Sequence, residues 1–130
     1  RQAVDVLRGA GAPMALLHCN STYPAPFRDI NLHYMQRLRE IAECPVGYSG
    51  HERGYHVPLA AVALGARIIE KHFTVDRDLE GNDHKVSLLP GEFTEMVQRV
   101  REIEAALVIV DSLPTDRGRR AGSGGSRVFE

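Results

Sequence analysis

The sequence predicts an α/β protein with a parallel sheet, on three observations. Short, mostly apolar runs at residues 14–19, 46–51 and 66–73 have the length and composition of strands buried in a sheet. Each run is followed by a segment whose apolar residues recur at helical spacing, so the order of elements is β-α-β-α-β-α. A helix between two strands returns the chain to the same end of the sheet, which makes the strands parallel and excludes an antiparallel sandwich.

The first half of the chain is predicted to hold two helices around the first strand. Residues 1–11 form a helical segment that two glycines end. After the first strand, residues 20–26 form a polar loop, because their two prolines are incompatible with a helix. Asp29 is a suitable N-cap for the next helix, which stops before Pro45.

The second half repeats the same alternation. Pro58 fits the first turn of a helix over 57–64, which Gly65 closes. The third strand leads into a long polar loop over 74–88, and a helix over 90–107 follows it.

Composition excludes several classes of function. The chain has 130 residues, 43% of them hydrophobic and 25% charged, with a net charge of −1. This balance is typical of a globular protein and gives no cationic surface for nucleic acid or an anionic membrane. Its apolar stretches are far shorter than the roughly 20 residues that span a bilayer. Two cysteines, Cys19 and Cys44, are too few for a disulfide framework, and we expect both to be buried small side chains in a cytoplasmic protein.

Two histidines lie at the carboxyl ends of neighbouring predicted strands. Side chains alternate along a strand, so Ser49 shares a face with His51, and Glu70 shares a face with His72. Lys71 then points toward the helices. Two imidazoles from adjacent strand ends are suitable ligands for a first-row metal, with the remaining positions open to substrate or water. The alternative is that each histidine is an interior side chain bonded to the backbone or to a carboxylate.

Five segments together resemble the sialic acid synthase (N-acetylneuraminate synthase) family: residues 17–32, 46–51, 60–66, 69–74 and 81–85. The resemblance implies a (β/α)8 TIM barrel, which usually needs about 250 residues. We therefore expect residues 1–107 to hold the last three β/α units of a barrel, as a truncated fragment that is inactive alone. Residues 108–130, rich in Gly, Ser and Arg, are predicted to be a disordered or linker-like tail.

The resemblance also implies a reaction. Members of the family condense phosphoenolpyruvate with N-acetylmannosamine, its 6-phosphate or a related hexosamine, and release phosphate as a nonulosonic acid forms. They use a divalent metal, usually Mn²⁺, with Mg²⁺ and Co²⁺ as alternatives, and the full-length proteins are expected to be homodimers. Two alternative hypotheses remain. The chain is part of a different phosphoenolpyruvate-dependent aldol-type synthase, or it is an inactive barrel fragment that self-associates through open sheet edges.

Six residues take roles from this resemblance. His51 and His72 are the expected metal ligands and catalytic residues. Ser49 and Ser21 are expected at the phosphate, and Tyr23 and Asp83 at the sugar.

One departure from the family pattern affects the metal site. Residues 49–51 read Ser-Gly-His, where the family commonly has Ser-Asp-His. A carboxylate that could orient His51 is therefore missing at Gly50, and Glu52 is the candidate substitute.

Overall fold

A computed structural model describes residues 1–108, and the predicted tail over 108–130 lies outside the described residues except for Val108. The helices and strands in chain order are α1 (Gln2–Gly9), β1 (Leu16–Cys19), α2 (Tyr34–Ala42), β2 (Val46–Gly50), α3 (His56–Ala63), β3 (Ile69–Lys71) and α4 (Pro90–Ala106). Single 3-10 turns at Phe27–Asp29 and Asp83–Lys85 lie in the loops after β1 and β3. The predicted alternation of strands and helices is confirmed.

The three strands form one parallel sheet in the order β1-β2-β3. The register aligns Cys19 with Ser49, and Ser49 with Glu70, so these residues form a row across the sheet. A parallel bridge between Phe73 and Leu88 extends the sheet beyond β3. The segment over 74–88, predicted as a polar loop, therefore ends in buried backbone pairing.

One face of the sheet packs against the helices. The buried apolar cluster on that side contains Ala25, Ile30, Met35, Val46, Tyr48 and Ala61. Because α2 packs on β1 and β2 and α3 packs on β2, this face is the core of the described residues.

The opposite face of β1 is open. Leu17 is 39% exposed and Cys19 is also exposed, so the expectation that this run forms a buried strand is wrong for this face of β1 within residues 1–108. The expectation that Cys19 is buried is wrong for the same reason: no element of the described residues covers that face.

The second helix begins later than its sequence predicts. Asp29 ends a 3-10 turn instead of capping α2, and Asn31 follows with a φ of 50°. A left-handed residue interrupts helical geometry, and asparagine tolerates that conformation better than most residues. The helix therefore starts at Tyr34.

The last helix is fixed at its start by a side chain. Glu92 accepts a hydrogen bond from the Leu89 backbone amide at 2.8 Å, which satisfies one of the free donors at the beginning of α4. The helix packs on α3. Within residues 1–108, no helix combines the length and apolar character needed to cross a membrane.

Candidate active site

The two histidines predicted at the strand ends lie side by side. Gly50 pairs with Lys71 in the register of β2 and β3, so His51 and His72 are the next residues along each strand. Their ring centroids are 5.0 Å apart, with the ring planes inclined at 60°. The structure thus brings together the two imidazoles at the carboxyl end of the sheet, where parallel α/β folds collect their reactive groups.

Hydrogen bonds fix the orientation of the His51 ring. Its Nδ1 lies 2.6 Å from the backbone carbonyl oxygen of Asn20, which can only accept a hydrogen bond. The proton therefore belongs on Nδ1, and the lone pair of Nε2 is directed into the site. Tyr23 donates its hydroxyl proton to that Nε2 at 3.1 Å. His51 is 6% exposed, so it is a buried histidine whose Nδ1 is bonded to the backbone and whose Nε2 is bonded to the Tyr23 hydroxyl.

Tyr23 contacts both histidines from the loop after β1. Its ring stacks on His51 with centroids 4.2 Å apart and lies edge-on to His72 at 5.7 Å. Partial burial raises the pKa of the Tyr23 hydroxyl above its usual range, and the negative charge of Asp83 raises it further. Tyr23 and Asp83, both predicted at the sugar, therefore act on each other electrostatically.

The row of residues preceding the histidines carries the other polar groups of the site. Ser49 donates a hydrogen bond to the Glu70 carboxylate across β2 and β3. Cys19 Sγ lies 3.6 Å from His51 Nδ1. Ser49 is 6% exposed, whereas Glu70 and Cys19 face the open side.

The two remaining loop positions are placed differently. Ser21 is exposed in the loop after β1, two residues before Tyr23. Asp83 opens the 3-10 turn after β3, and its backbone oxygen accepts a hydrogen bond from Ser87 Oγ at 2.7 Å. The next residue, His84, forms a hydrogen bond with Thr74 Oγ1 through Nδ1, at 2.8 Å. This bond stabilises the loop, so His84 has a structural role here.

Glu52 makes no direct hydrogen bond to the His51 ring, contrary to the sequence-based hypothesis that it replaces the missing carboxylate at position 50. Its carboxylate instead accepts a hydrogen bond from the Tyr48 hydroxyl at 2.6 Å and pairs with Lys71 at 3.4 Å. Lys71 points toward the helices, as its position in the strand predicts. Burial lowers the pKa of the Lys71 ammonium, while Glu52 acts in the opposite direction.

The donor set fits a divalent metal held by two protein ligands. Among residues 1–108, no group of three or more His, Cys, Asp and Glu side chains is arranged to hold a metal ion. His51 and His72 offer two neighbouring imidazoles, and the Asn20 carbonyl fixes the tautomer of His51 in which Nε2 carries the lone pair. A site of this kind leaves coordination positions open to substrate or water.

Sequence reasoning missed the role of Asn20. Its backbone oxygen holds His51, while its side chain holds the loop: Oδ1 accepts from the Thr22 amide and Nδ2 donates to the Asp29 carbonyl, both at 3.0 Å. An asparagine after a strand indicates such a turn. The contact with His51 has no sequence signal, because every residue carries the same carbonyl.

Comparison with known proteins relates the chain to one family. The family model described as NeuB family matches residues 1–111. The N,N'-diacetyllegionaminic acid synthase of Campylobacter jejuni is 49% identical over 109 residues, which cover 82% of this chain and 33% of that protein. The human N-acetylneuraminate-9-phosphate synthase is 40% identical over 108 residues, which cover 82% of this chain and 30% of that protein.

A solved structure agrees with the sequence comparisons. The crystal structure of N-acetylneuraminic acid (sialic acid) synthetase from Leptospira borgpetersenii in complex with citrate matches with a TM-score of 0.79 and 42% identity, over 88% of this chain and 40% of that chain. The chain spans about a third of the length of the curated relatives it matches.

Proposed function

The chain belongs to the NeuB family, and from that premise we propose that it forms part of an enzyme that condenses phosphoenolpyruvate with an N-acetylated hexosamine. The products are a nonulosonic acid and phosphate. Because relatives are named as synthases of different acids, the proposed hexosamines include N-acetylmannosamine, its 6-phosphate and related amino sugars.

The fold proposed for the working enzyme is a (β/α)8 barrel, to which these three parallel strands contribute. The open face of the sheet supports this proposal. In a closed barrel, side chains from the other strands would cover that face, which carries Leu17 and the row from Cys19 to Glu70. The share of the solved relative that the chain covers, 40%, is compatible with a barrel portion.

The observation that carries the proposal is the pairing of His51 and His72 at the carboxyl end of adjacent parallel strands, 5.0 Å apart between ring centroids. We propose that these imidazoles hold a divalent metal, Mn²⁺ first and Mg²⁺ or Co²⁺ as alternatives. Bound there, the metal supplies Lewis acidity toward an oxygen of the substrate.

The chain's own residues then bind and orient the two substrates. Ser49, at the end of β2, and Ser21, in the loop after β1, are the proposed phosphate contacts. Tyr23 and Asp83 are the proposed sugar contacts, and the Tyr23 hydroxyl, whose pKa lies above its usual range, is a hydrogen-bond donor. Holding both substrates in one geometry lowers the entropy cost of the reaction, because the two reactants no longer have to meet in the right orientation by diffusion.

The proposed reaction has three balanced steps. The methylene carbon of phosphoenolpyruvate attacks the aldehyde carbon of the open-chain sugar, whose oxygen takes up a proton to become a hydroxyl. Water adds to the cationic enolic carbon and loses a proton. Phosphate then leaves by cleavage of the bond between that carbon and the ester oxygen, while the new hydroxyl on the carbon loses its proton and becomes the oxygen of the keto acid.

A binding experiment tests the site in this chain. Calorimetric titration with Mn²⁺ is expected to show one saturable site that is lost in both His51→Ala and His72→Ala. His33→Ala, which removes an exposed histidine before α2, is the matched control and is expected to bind as the unaltered chain does. Equal binding by all four proteins would overturn the metal site.

A chimera tests the reaction. Residues 1–107 would replace the matching segment of the Campylobacter jejuni relative, and phosphate release from phosphoenolpyruvate would be measured with N-acetylmannosamine and related acceptors. Release that depends on both substrates and is abolished by His72→Ala is expected. A chimera that folds cooperatively and binds Mn²⁺ but releases no phosphate with any acceptor would contradict the proposed function.

The open face of the sheet favours a second candidate function, that of an inactive protein that self-associates. Leu17 is 39% exposed and Phe73 is 56% exposed on or beside a sheet with open edges. Sedimentation velocity distinguishes the two: self-association that survives in the presence of Mn²⁺, combined with an absence of metal binding, would favour this candidate.

A further inference from the structure

A buried ion pair lies directly behind the two histidines. The side chains of Glu52 and Lys71 are both 0% exposed, with Lys71 Nζ 3.4 Å from Glu52 Oε1. Glu52 immediately follows His51, and Lys71 immediately precedes His72. The pair thus connects the two chain segments that carry the proposed ligands.

The ammonium of Lys71 also holds the backbone around His51. It donates to the carbonyl oxygen of Gly50 at 3.1 Å and to the carbonyl oxygen of Glu52. These two carbonyls belong to the residues on either side of His51. All three N–H donors of the ammonium therefore have partners, and two of them fix the peptide segment that aims the His51 ring.

The same ion pair explains why residue 50 is a glycine. A Cβ atom at Gly50 would lie 2.8 Å from Glu52 Oε1 and 3.1 Å from Glu52 Oε2. The carboxylate of Glu52 thus occupies the space that a side chain at position 50 would need. The hydroxyl of Tyr48 holds the other oxygen of that carboxylate.

We propose that Glu52 and Lys71 form a clamp that positions His51 relative to His72 and so sets the geometry of the two-imidazole site. They are positioning residues, since their side chains bond to each other, to Tyr48 and to the backbone on either side of His51, and not to a histidine ring. The proposal rests on the proposed function, because it concerns the site that the two histidines form.

Stability alone does not account for such a pair. Replacing both members of a buried ion pair with apolar side chains of similar size is often neutral or stabilising, whereas removing one member leaves an unpaired buried charge. The double variant Glu52→Met/Lys71→Met therefore separates the positioning role from the contribution to folding.

The experiment uses Co²⁺ as the probe, because its visible absorption reports coordination geometry as well as affinity. The double variant is expected to bind Co²⁺ about 10- to 100-fold more weakly than the unaltered chain, the size of effect that supporting residues around metal ligands have. Its spectrum is expected to change. Its urea unfolding is expected to stay cooperative at a lower midpoint, because the Tyr48 hydroxyl loses its buried acceptor. Lys85→Met, which removes the exposed lysine, is the control and is expected to leave affinity and spectrum unchanged.

A metal-free measurement separates failure of the clamp from failure of the metal site. Nuclear Overhauser contacts between the Tyr23 and His51 rings, which lie 4.2 Å apart, are expected in the unaltered chain and weakened in the double variant. Unchanged ring contacts in the double variant, or unchanged Co²⁺ affinity and spectrum, would overturn the clamp. If the unaltered chain keeps the ring contacts but binds no Co²⁺, the proposed metal site is wrong. The clamp is then tested by the ring contacts alone: weaker contacts in the double variant support it, and unchanged contacts overturn it.

Discussion

His51 donates its Nδ1 proton to the backbone carbonyl oxygen of Asn20, at 2.6 Å. This bond joins the residue after β2 to the residue after β1. It fixes the ring in one tautomer and leaves the Nε2 lone pair to accept a hydrogen bond from Tyr23. The orientation of this proposed metal ligand is therefore set by the backbone of a neighbouring strand end.

The tautomer of His51 is the first prediction. In the metal-free protein at pH 8, nitrogen–proton correlation spectra are expected to show His51 protonated at Nδ1, because the Asn20 carbonyl can only accept. His33, exposed before α2, is the reference ring. Protonation of His51 at Nε2 would contradict the arrangement.

Tyr23→Phe is expected to strengthen Mn²⁺ binding. The Tyr23 hydroxyl bonds the His51 Nε2 lone pair at 3.1 Å and competes with a metal for it, while the phenylalanine ring keeps the stacking on His51. Loss of one hydrogen bond worth about 1 kcal/mol corresponds to a gain of roughly fivefold in affinity. Titration calorimetry measures it, with Tyr34→Phe as the control on an exposed tyrosine. Weaker Mn²⁺ binding by Tyr23→Phe would contradict this prediction and would mean that the hydroxyl contributes to metal binding.

Tyr48→Phe is expected to remove part of the alkaline loss of stability. Burial raises the pKa of the Tyr48 phenol, and its bond to the Glu52 carboxylate raises it further. The unfolded phenol loses its proton near pH 10, while the folded phenol keeps its proton. The unfolded state then binds fewer protons, so the free energy of unfolding falls above about pH 10, by up to about 1.4 kcal/mol per pH unit.

Urea unfolding at pH 9 and pH 11 measures this effect. The unaltered chain and Tyr34→Phe are expected to lose more stability between the two pH values than Tyr48→Phe does. At neutral pH, Tyr48→Phe is expected to be less stable by about 1.5–3 kcal/mol, because it leaves a buried carboxylate without that donor. Equal pH dependence in all three proteins would show that Tyr48 ionises in the folded state as it does in the unfolded one.

Gly47→Ala is expected to destabilise the sheet. A Cβ atom at Gly47 would collide with the Ile68 backbone oxygen and would lie 2.6 Å from Leu17 Cδ2. Backbone cannot move aside as a side chain can, so a cost of about 1–3 kcal/mol is expected. Gly91→Ala, where nothing lies within 4 Å of the added atom, is the control and is expected to be neutral or stabilising by up to about 1 kcal/mol. Equal stability of the two variants would mean that Gly47 is not closely packed.

The sequence was sufficient for those parts of the site that depend on strand periodicity. Alternation of side chains along β2 and β3 predicts that Ser49 lies on the same face as His51 and that Lys71 points toward the helices. A period of two residues leaves few alternatives. The parallel order of strands followed from the helices between them.

Features that depend on contacts between distant segments could not be predicted. The Asn20 carbonyl has no residue-specific signal, and the position of the Glu52 carboxylate beside Gly50 depends on how Lys71 and Tyr48 surround it. The sequence predicts too early a start for α2 because Asp29 is a good cap in isolation, whereas the left-handed backbone of Asn31 interrupts helical geometry after it.

The most direct measurement of the central claim is an anomalous-difference map from crystals of the chain soaked in Mn²⁺. A peak within coordination distance of His51 Nε2 and a ring nitrogen of His72, with the Tyr23 hydroxyl displaced from that Nε2, is the predicted result. Crystals in which His51 Nε2 stays bonded to Tyr23, and in which Mn²⁺ is absent from the site or bound elsewhere, would contradict it.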